Sequence, residues 1–499
     1  MSLSVLTKPI GLISKVLMAK YFGAGAQYDA YLISFFLVNF LANTLTRVFT
    51  AVAIPYITEL RSQESGERIF RLMNAALIMF MAPMVAYSIF LLTRGNLAVR
   101  LIVPNAASDT KALATQMLLL MAVPGLITVF IGVINSVLNL NKAHRLPAAM
   151  PIINSMTMLL VLIAGHKSWG IWALPIAYSI SMVIRGSVGL GYALYRGHFR
   201  IARPLAPKGF RRELWSRSWM VLVSSAILAV NHFMDKFFAS GLAPGSISSI
   251  AYSATLVDFG CQIFQLSLVA VMFTQMSELI AAERMAECGA YIQLNTRKLA
   301  KLVVPVSIAI SLASFEIVGV LFQRDAFTTE DSVRTASALS MYMLGMPALL
   351  INLIAARVFH SLKLLKLKIW LAVQYIGTNV LGNFFLVGPL KVMGLAISST
   401  LAINIHLGLS IFLLYRQNRQ LRMREISITM FRHYLLGLVT ILLFRLMGLG
   451  DFFSSHLVNS GAKWELIIAG TAKGLSVLVI FFLLHLLQKR TFAIRSHKC

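Results

Sequence analysis

The chain has 499 residues, of which 58% are hydrophobic and only 13% charged, with a mean hydropathy of +0.77, so a soluble core is the poorer reading. The formal net charge of +27 sits mostly in short basic segments between apolar stretches. No such segment stands beside a soluble fold, which argues against nucleic acid and for topology signals facing anionic lipid headgroups.

About fourteen apolar stretches follow one another, each near the ~20 residues a helix needs to cross a bilayer. They span 6–25, 29–58, 71–93, 113–138, 146–165, 169–194, 213–240, 247–278, 298–322, 334–358, 368–388, 392–415, 430–449 and 464–487. The stretches 29–58 and 247–278 exceed a flat crossing, so tilt or extension into the cytoplasm is expected for them. The connections alternate. One set is basic, with Arg61, Arg68 and Arg71; Lys142 and Arg145; a dense run from Arg196 through Lys208 to Arg217; and Arg284, Arg297 and Lys298. It continues with Lys363, Lys366 and Lys368, then Arg416, Arg419, Arg422 and Arg424, and the tail residues Lys489, Arg490, Arg495 and Lys498. Between them, Gly23–Gln27 and Gly241–Ile247 carry no Lys or Arg. The positive-inside rule then puts both termini in the cytoplasm, with the loop near Arg94–Lys111 as the weakest match. The first stretch holds Lys8, Lys15 and Lys20 and lacks a small-residue cleavage site, so it is not expected to be a cleaved signal peptide. No connection exceeds about twenty residues, which leaves no room for an extramembrane catalytic domain.

An internal repeat is visible. Lys20-Tyr21-Phe22-Gly23-Ala24-Gly25, followed by Ala30-Tyr31, recurs as Lys236-Phe237-Phe238-Ala239-Ser240-Gly241, followed by Ala251-Tyr252. Thr58-Glu59-Leu60 likewise recurs as Ser277-Glu278-Leu279. Six stretches separate the copies, and an even number is what parallel copies require. The expected architecture is therefore all-α and polytopic, with an N-terminal lobe over 1–205, a C-terminal lobe over 206–425, and two additional helices with a basic tail over 426–499. Lobes related by an axis along the membrane normal are a common transporter plan, with the binding site between them.

Ionisable residues inside a membrane span are costly and are functional-site hypotheses by default. Lys8 and Lys15 are seven residues apart and share a helix face. Arg47 lies well inside the second stretch, eighteen residues after Asp29, so those two cannot pair on one helix. Lys8, Lys15 and Arg47 are the candidate cavity cations, and cations facing a cavity imply a phosphate or diphosphate ligand. Arg185, Asp235 with Lys236, Asp258, Glu316, Arg357, Arg445 and Lys473 complete the set. Blander readings apply to several of them: Lys20, Lys236 and Arg357 are placed to snorkel, Asp235 and Lys236 to pair locally, and Arg445 and Lys473 to serve structure or lipid contact. Gln374, Asn379 and Asn383 are placed to join helices by side-chain hydrogen bonds. There is no G-x-x-x-x-G-K-[ST], no H-E-x-x-H and no nucleophile-elbow context, so neither an ATP motor nor an enzyme is indicated. Cys261, Cys288 and Cys499 have no metal-ligand or disulfide spacing, and no metal site or cofactor is expected.

The run Phe22-Gly23-Ala24-Gly25 to Asp29-Ala30, then Asn39, resembles the signature of the MviN/MurJ branch of the multidrug/oligosaccharidyl-lipid/polysaccharide (MOP) exporter superfamily. Gly388-Pro389-Leu390-Lys391 with Gly394-Leu395 and Ser398 is a second match. The resemblance implies a MOP exporter fold and a flippase for undecaprenyl-diphosphate-linked saccharides in the bacterial inner membrane, working by alternating access through a cationic cavity. It implies gating or structural roles for Gly23, Gly25, Asp29 and Asn39, and Asp258 is grouped with them. An ion gradient or the membrane potential would drive transport; membrane lipids, and glycan synthesis or polymerisation enzymes, would be its neighbours. Laid on the family pattern, Lys8 stands at an arginine position, whereas Ser14, Ala42 with Asn43, and Thr255 replace arginines. Arg47, four residues after Asn43, offers a cation one turn deeper. These departures lean the expected cargo toward an exopolysaccharide or other surface-polysaccharide repeat unit, with lipid II for peptidoglycan as the alternative. A small-molecule exporter of the same superfamily would need Asp29, Asp258 and Glu316 to outrank the lysines. A membrane glycosyltransferase would need a catalytic loop that the chain lacks.

Overall fold

The computed structural model describes residues 2–61, 66–205, 209–265, 270–457 and 463–496, and among them every regular element is a helix. Lys208, Lys498 and Cys499 lie outside the described residues; for Lys8, Arg61, Lys489, Arg490 and Arg495 the backbone alone is described. By packing the chain divides into two compact units, Met1–Ser248 and Ser249–Cys499.

The first unit holds α1 (Ser2–Phe22), α2 (Ala26–Val48), α3 (Ile54–Arg61), α4 (Gly66–Ile102), α5 (Ser108–Leu140), α6 (Arg145–Trp169), α7 (Ala173–Tyr195) and α8 (Phe210–Ala239). α5 is its hub, packing against α2, α4 and α7. The approach of α5 to α2 depends on small residues: a Cβ on Gly125 would strike Val38, and one on Gly132 would strike Thr46. Hydroxyls reinforce that seam without needing water. Ser34 Oγ donates to the Ala114 carbonyl at 2.7 Å, and Thr50 and Ser136 hydroxyls lie 2.8 Å apart. Around them Leu45, Val48, Phe49, Ile57, Met84, Val133 and Val137 form a fully buried apolar core. A π-helical turn over Phe49–Ala53 joins α2 to α3, so the long stretch expected over 29–58 is realised as α2, that turn and most of α3.

In the second unit α9 (Ser246–Phe264, its first three residues belonging to the first unit), α10 (Ala270–Ala281), α11 (Met285–Leu312), α12 (Ser314–Phe322), α13 (Thr329–Ser361), α14 (Leu365–Gln417), α15 (Met423–Leu446), α16 (Leu449–Leu457) and α17 (Lys463–Ser496) follow. α13 starts at a capping box in which Thr328 and Asp331 satisfy each other's backbone N–H. α11 and α12 meet at a bend of 70°. α14 breaks at Lys391, whose φ of 51° and ψ of −129° lie outside the helical region. Across that break Asn379 Nδ2 donates to Ser399 Oγ at 2.9 Å, whereas Asn383 Nδ2 bonds Asn379 Oδ1 at 3.0 Å and Gln374 bonds Thr378 within the first segment, so of the three amides expected to join helices Asn379 does so. Cys261 and Cys288 are buried free thiols.

Large apolar side chains such as Leu160, Leu381, Phe384, Phe385, Phe431 and Leu486 are exposed along helix after helix. In water such a surface would aggregate; in a bilayer it is the lipid-facing coat. Nine helices among the described residues are long and apolar enough to cross a membrane, or ten with the bent α11–α12 pair. The chain is a multi-pass membrane protein. The 71–93 stretch ends where α4 kinks, at Arg94, whose φ of −127° and ψ of 24° are not helical, and a short second segment continues to Ile102.

Candidate substrate-binding site

The first unit sets its cations along one helix. α2 packs against α8 in antiparallel sense, and polar contacts hold the segments that continue them at both ends, α3 to α8 at one and α2 to the start of α9 at the other. At one end Tyr56 donates to Glu213 at 2.6 Å, while Arg217 reaches Glu213 at 2.7 Å and Glu59 at 2.8 Å. At the other, Asp29 Oδ2 accepts from the Gly245 N–H at 2.7 Å, and Oδ1 from the Ser248 N–H and hydroxyl at 2.7 and 2.6 Å. Gly245 has a φ of 90°, a left-handed conformation that glycine adopts without strain. Asp29 is thus a buried carboxylate whose job is to close the first turn of α9, where a negative charge also suits the helix dipole.

Between the two clamps, Phe36, Phe40, Asn43, Arg47 and Thr50 fall at spacings of three and four and make one accessible stripe along α2. Lys236 of α8 places its ammonium 4.5 Å from the Phe36 ring centroid. His232, one turn earlier on α8, lies within electrostatic range of both Lys236 and Arg47. Arg47 is exposed and has no carboxylate partner among the described residues. Lys15 meets the far end of α2, where its Nζ donates to the Tyr28 hydroxyl at 3.3 Å. Nineteen residues separate Tyr28 from Arg47, roughly 28 Å of helix. Lys15 and Arg47 therefore occupy different depths and do not grip one diphosphate together; Lys236 stands between them. Lys8 is on α1 two turns before Lys15, and its side chain is not among those described.

The other anticipated residues divide by role. Gly23, with a φ of 62°, ends α1, and Gly25 is the extended N-cap of α2. Buried Asn39 accepts from the Tyr178 hydroxyl at 3.4 Å and donates to the Phe35 carbonyl at 2.9 Å. Asp258 is exposed on α9. Asp235 forms no ion pair with Lys236; its buried Oδ1 has no hydrogen-bond partner. Ser14 is buried and donates to the Ile10 carbonyl, Ala42 is fully buried in the core, and Thr255 donates to the Ala251 carbonyl.

Two polar groupings were not assembled from the sequence. Ser181 and Arg185 of α7 both donate to Asn154 Oδ1 of α6, at 2.8 and 3.3 Å. With Tyr178, those α7 residues follow a helical three-and-four spacing that marks one face, which was the available signal. In the second unit Glu316 of α12 and Lys473 of α17 form a buried ion pair that also takes in Ser454. No spacing could link residues 157 positions apart.

A helical multi-pass protein with unpaired cations set along one helix has the make-up of a membrane transporter, and the fold agrees. It superposes with a TM-score of 0.79 on a structure described as the lipid II flippase MurJ in an inward closed conformation, at 18% identity over 98% of both chains. With an inward-facing multidrug resistance MATE family transporter of the MOP superfamily the TM-score is 0.67, at 14% identity over 85% of this chain and 96% of the other. The family model described as lipid II flippase MurJ matches residues 18–466, and the chain belongs to that family. Similar proteins include a probable lipid II flippase MurJ of Rickettsia prowazekii, 26% identical over 425 residues, 82% of this chain and 81% of the relative. The lipid II flippase MurJ of Burkholderia cenocepacia is 22% identical over 409 residues, 79% of this chain and 78% of its own length.

Proposed function

We propose that this protein is a flippase, not an enzyme, that moves an undecaprenyl-diphosphate-linked saccharide across the bacterial inner membrane by alternating access, and that the saccharide is lipid II. The observation that carries this reading is the family match over residues 18–466. The relatives' descriptions favour lipid II over the surface polysaccharide toward which the sequence leaned. Lys15, Lys236 and Arg47 would serve the diphosphate in turn. Measured along α2 from Tyr28 to Phe36 to Arg47, they stand about 12 and 16 Å apart. An anion leaving water loses several kcal/mol of solvation, and a series of cations without ion-pair partners among the described residues offsets that loss at successive depths. The polyprenyl tail stays in lipid.

The same reading takes the topology to be fourteen spans. The runs Arg145–Tyr195 and Lys366–Gln417, of 51 and 52 residues, would each be more than 75 Å long as one helix, over twice a ~30 Å bilayer core. Each is two spans, divided at Gly170 and Lys391. With α2–α3, α9–α10 and α11–α12 taken as one span each, the total is fourteen and both termini are cytoplasmic. The repeat then gives lobes 1–205 and 206–425, with 426–499 added.

A second reading keeps the mechanism and changes the cargo to a surface-polysaccharide repeat unit. It is favoured by Ser14, Ala42 and Thr255, small residues at positions where the family pattern has arginines. Complementation decides between them. Expressed in a strain depleted of its lipid II flippase, this chain should prevent lysis. Failure to rescue, with loss of a surface polysaccharide on deleting its own gene, would replace lipid II by the second cargo.

A further inference from the structure

The cations of residues 94–111 run against the charge alternation of the other loops, and the function above leaves them unused. Up to its kink α4 runs from Gly66 to Thr93, about 42 Å, already longer than the roughly twenty residues that cross the hydrocarbon. It kinks at Arg94, with a φ of −127° and a ψ of 24°, and continues to Ile102; α5 then starts at Ser108 and packs back against α4. The tip of this hairpin therefore projects to the headgroup level. On the proposed topology that is the non-cytoplasmic side, where the loops Gly23–Gln27 and Gly241–Ile247 have no cation at all.

The tip contains a cavity of about 620 Å³ lined by Asn96, Arg100, Ser108, Lys111, Thr115 and Gln116, and no acid lines it. Arg100 has no acidic partner among the described residues. Lys111 Nζ donates to the Pro104 carbonyl at 2.6 Å, which holds the ammonium at the cavity and leaves two of its protons free. The hydroxyl of Thr115 is already committed to the Lys111 carbonyl. Asp109, two residues before Lys111, accepts from Ser108 at 3.4 Å and forms no ion pair with Lys111. No side chain caps α5, so the backbone N–H groups of its first turn also point toward the tip. A guanidinium, an ammonium, two carboxamides and an open helix start form a donor-rich surface without a carboxylate to neutralise it.

We propose that this cavity binds a phosphate ester, with Arg100 and Lys111 holding the phosphate oxygens and Asn96 and Gln116 the polar group esterified to it. Several donors from different directions suit a tetrahedral oxyanion better than a planar carboxylate. The volume exceeds that of a bare ion and accommodates a glycerol- or sugar-sized substituent. Two sources share this chemistry: the headgroup of an anionic phospholipid, and a soluble phosphate ester. The side of the membrane rests on the topology proposed above; the binding chemistry does not.

Native mass spectrometry of the full chain provides the test, comparing retained phosphatidylglycerol with phosphatidylcholine of the same acyl chains and titrating glycerol 1-phosphate as the soluble probe. The double substitution Arg100→Gln, Lys111→Gln should weaken binding of the preferred probe roughly tenfold or more. Gln116→Trp, which fills the cavity and leaves its charges in place, should do the same. Preference for phosphatidylglycerol alone assigns the lipid source, and binding of glycerol 1-phosphate assigns the soluble one. Equal binding by wild type and both variants, or binding of succinate with neither phosphate probe, overturns the proposal. In intact cells Asn96→Cys should react with a membrane-impermeant maleimide; reaction only after permeabilisation would overturn the topology and leave the anion site to the binding result.

Discussion

Lys473→Met should destabilise the second unit through a carboxylate on another helix. Glu316 and Lys473 are only 3% and 7% exposed, so each charge has exchanged water for the other. Lys473 also donates to Ser454 at 3.0 Å, while Glu316 Oε2 has no hydrogen-bond partner. Removing the ammonium leaves the carboxylate buried with nothing to offset its desolvation, a loss of about 3–5 kcal/mol for a buried pair. Glu316→Leu should cost a similar amount by stranding Lys473. The double substitution Glu316→Leu, Lys473→Met leaves no charge behind and should recover at least about 2 kcal/mol relative to the sum of the single losses. Equilibrium unfolding of the full chain in mixed detergent micelles, followed by circular dichroism, measures all four corners of the cycle. Single variants within about 0.5 kcal/mol of wild type, or a double variant equal to the sum of the singles, would refute the account.

Asp29→Ala removes three short hydrogen bonds from the first turn of α9 and should cost at least about 3 kcal/mol, seen as a lower unfolding midpoint; Asp29→Asn, which keeps an acceptor, should cost less. Arg47→Ala should abolish transport while leaving the amount of folded protein unchanged, because its exposed side chain supports no packing; a transport assay beside an expression control checks both halves. Reporter fusions at Arg196 and Ala243 should fall in opposite compartments, since α8 alone separates them, and finding them on one side would remove the fourteen-span reading.

The fold class was legible because a bilayer makes hydropathy and loop charge almost sufficient: backbone polar groups must pair within each segment, so apolar runs become helices. What hydropathy did not mark was helix beyond or within a stretch: the short segment that follows the kink at Arg94, and the bend between Leu312 and Ser314 inside the stretch 298–322. Among the site residues, the cations were recognisable from their cost in a membrane, but their arrangement was not. A period of 3.6 residues orders side chains along one helix and says nothing of which other helix lies alongside. Lys236 was read as a snorkelling end residue. Its ammonium lies over the Phe36 ring, near the midpoint of α2 (Ala26–Val48), a placement that the sequence alone does not carry.

Asp29 and Arg47 illustrate how one helix can carry two kinds of charge with opposite fates. The carboxylate is engaged by the α9 start through three hydrogen bonds, so its substitution is a matter of folding. Arg47 faces an accessible stripe, within electrostatic range of His232, and forms no ion pair among the described residues. A charge left without a partner in a membrane protein is held at a standing cost, and the fold gains nothing from it until an anion arrives. Lys236 forms no ion pair among the described residues but lies within electrostatic range of Asp235, and its ammonium rests on the Phe36 ring, a contact weaker than a charge-assisted bond to a phosphate oxygen. On the proposed function, the cations expected to serve transport are those the fold leaves least satisfied. On that criterion Arg47 and Lys236 rank above Lys15, whose ammonium is already bonded to Tyr28, and well above Lys473, which is spent on Glu316.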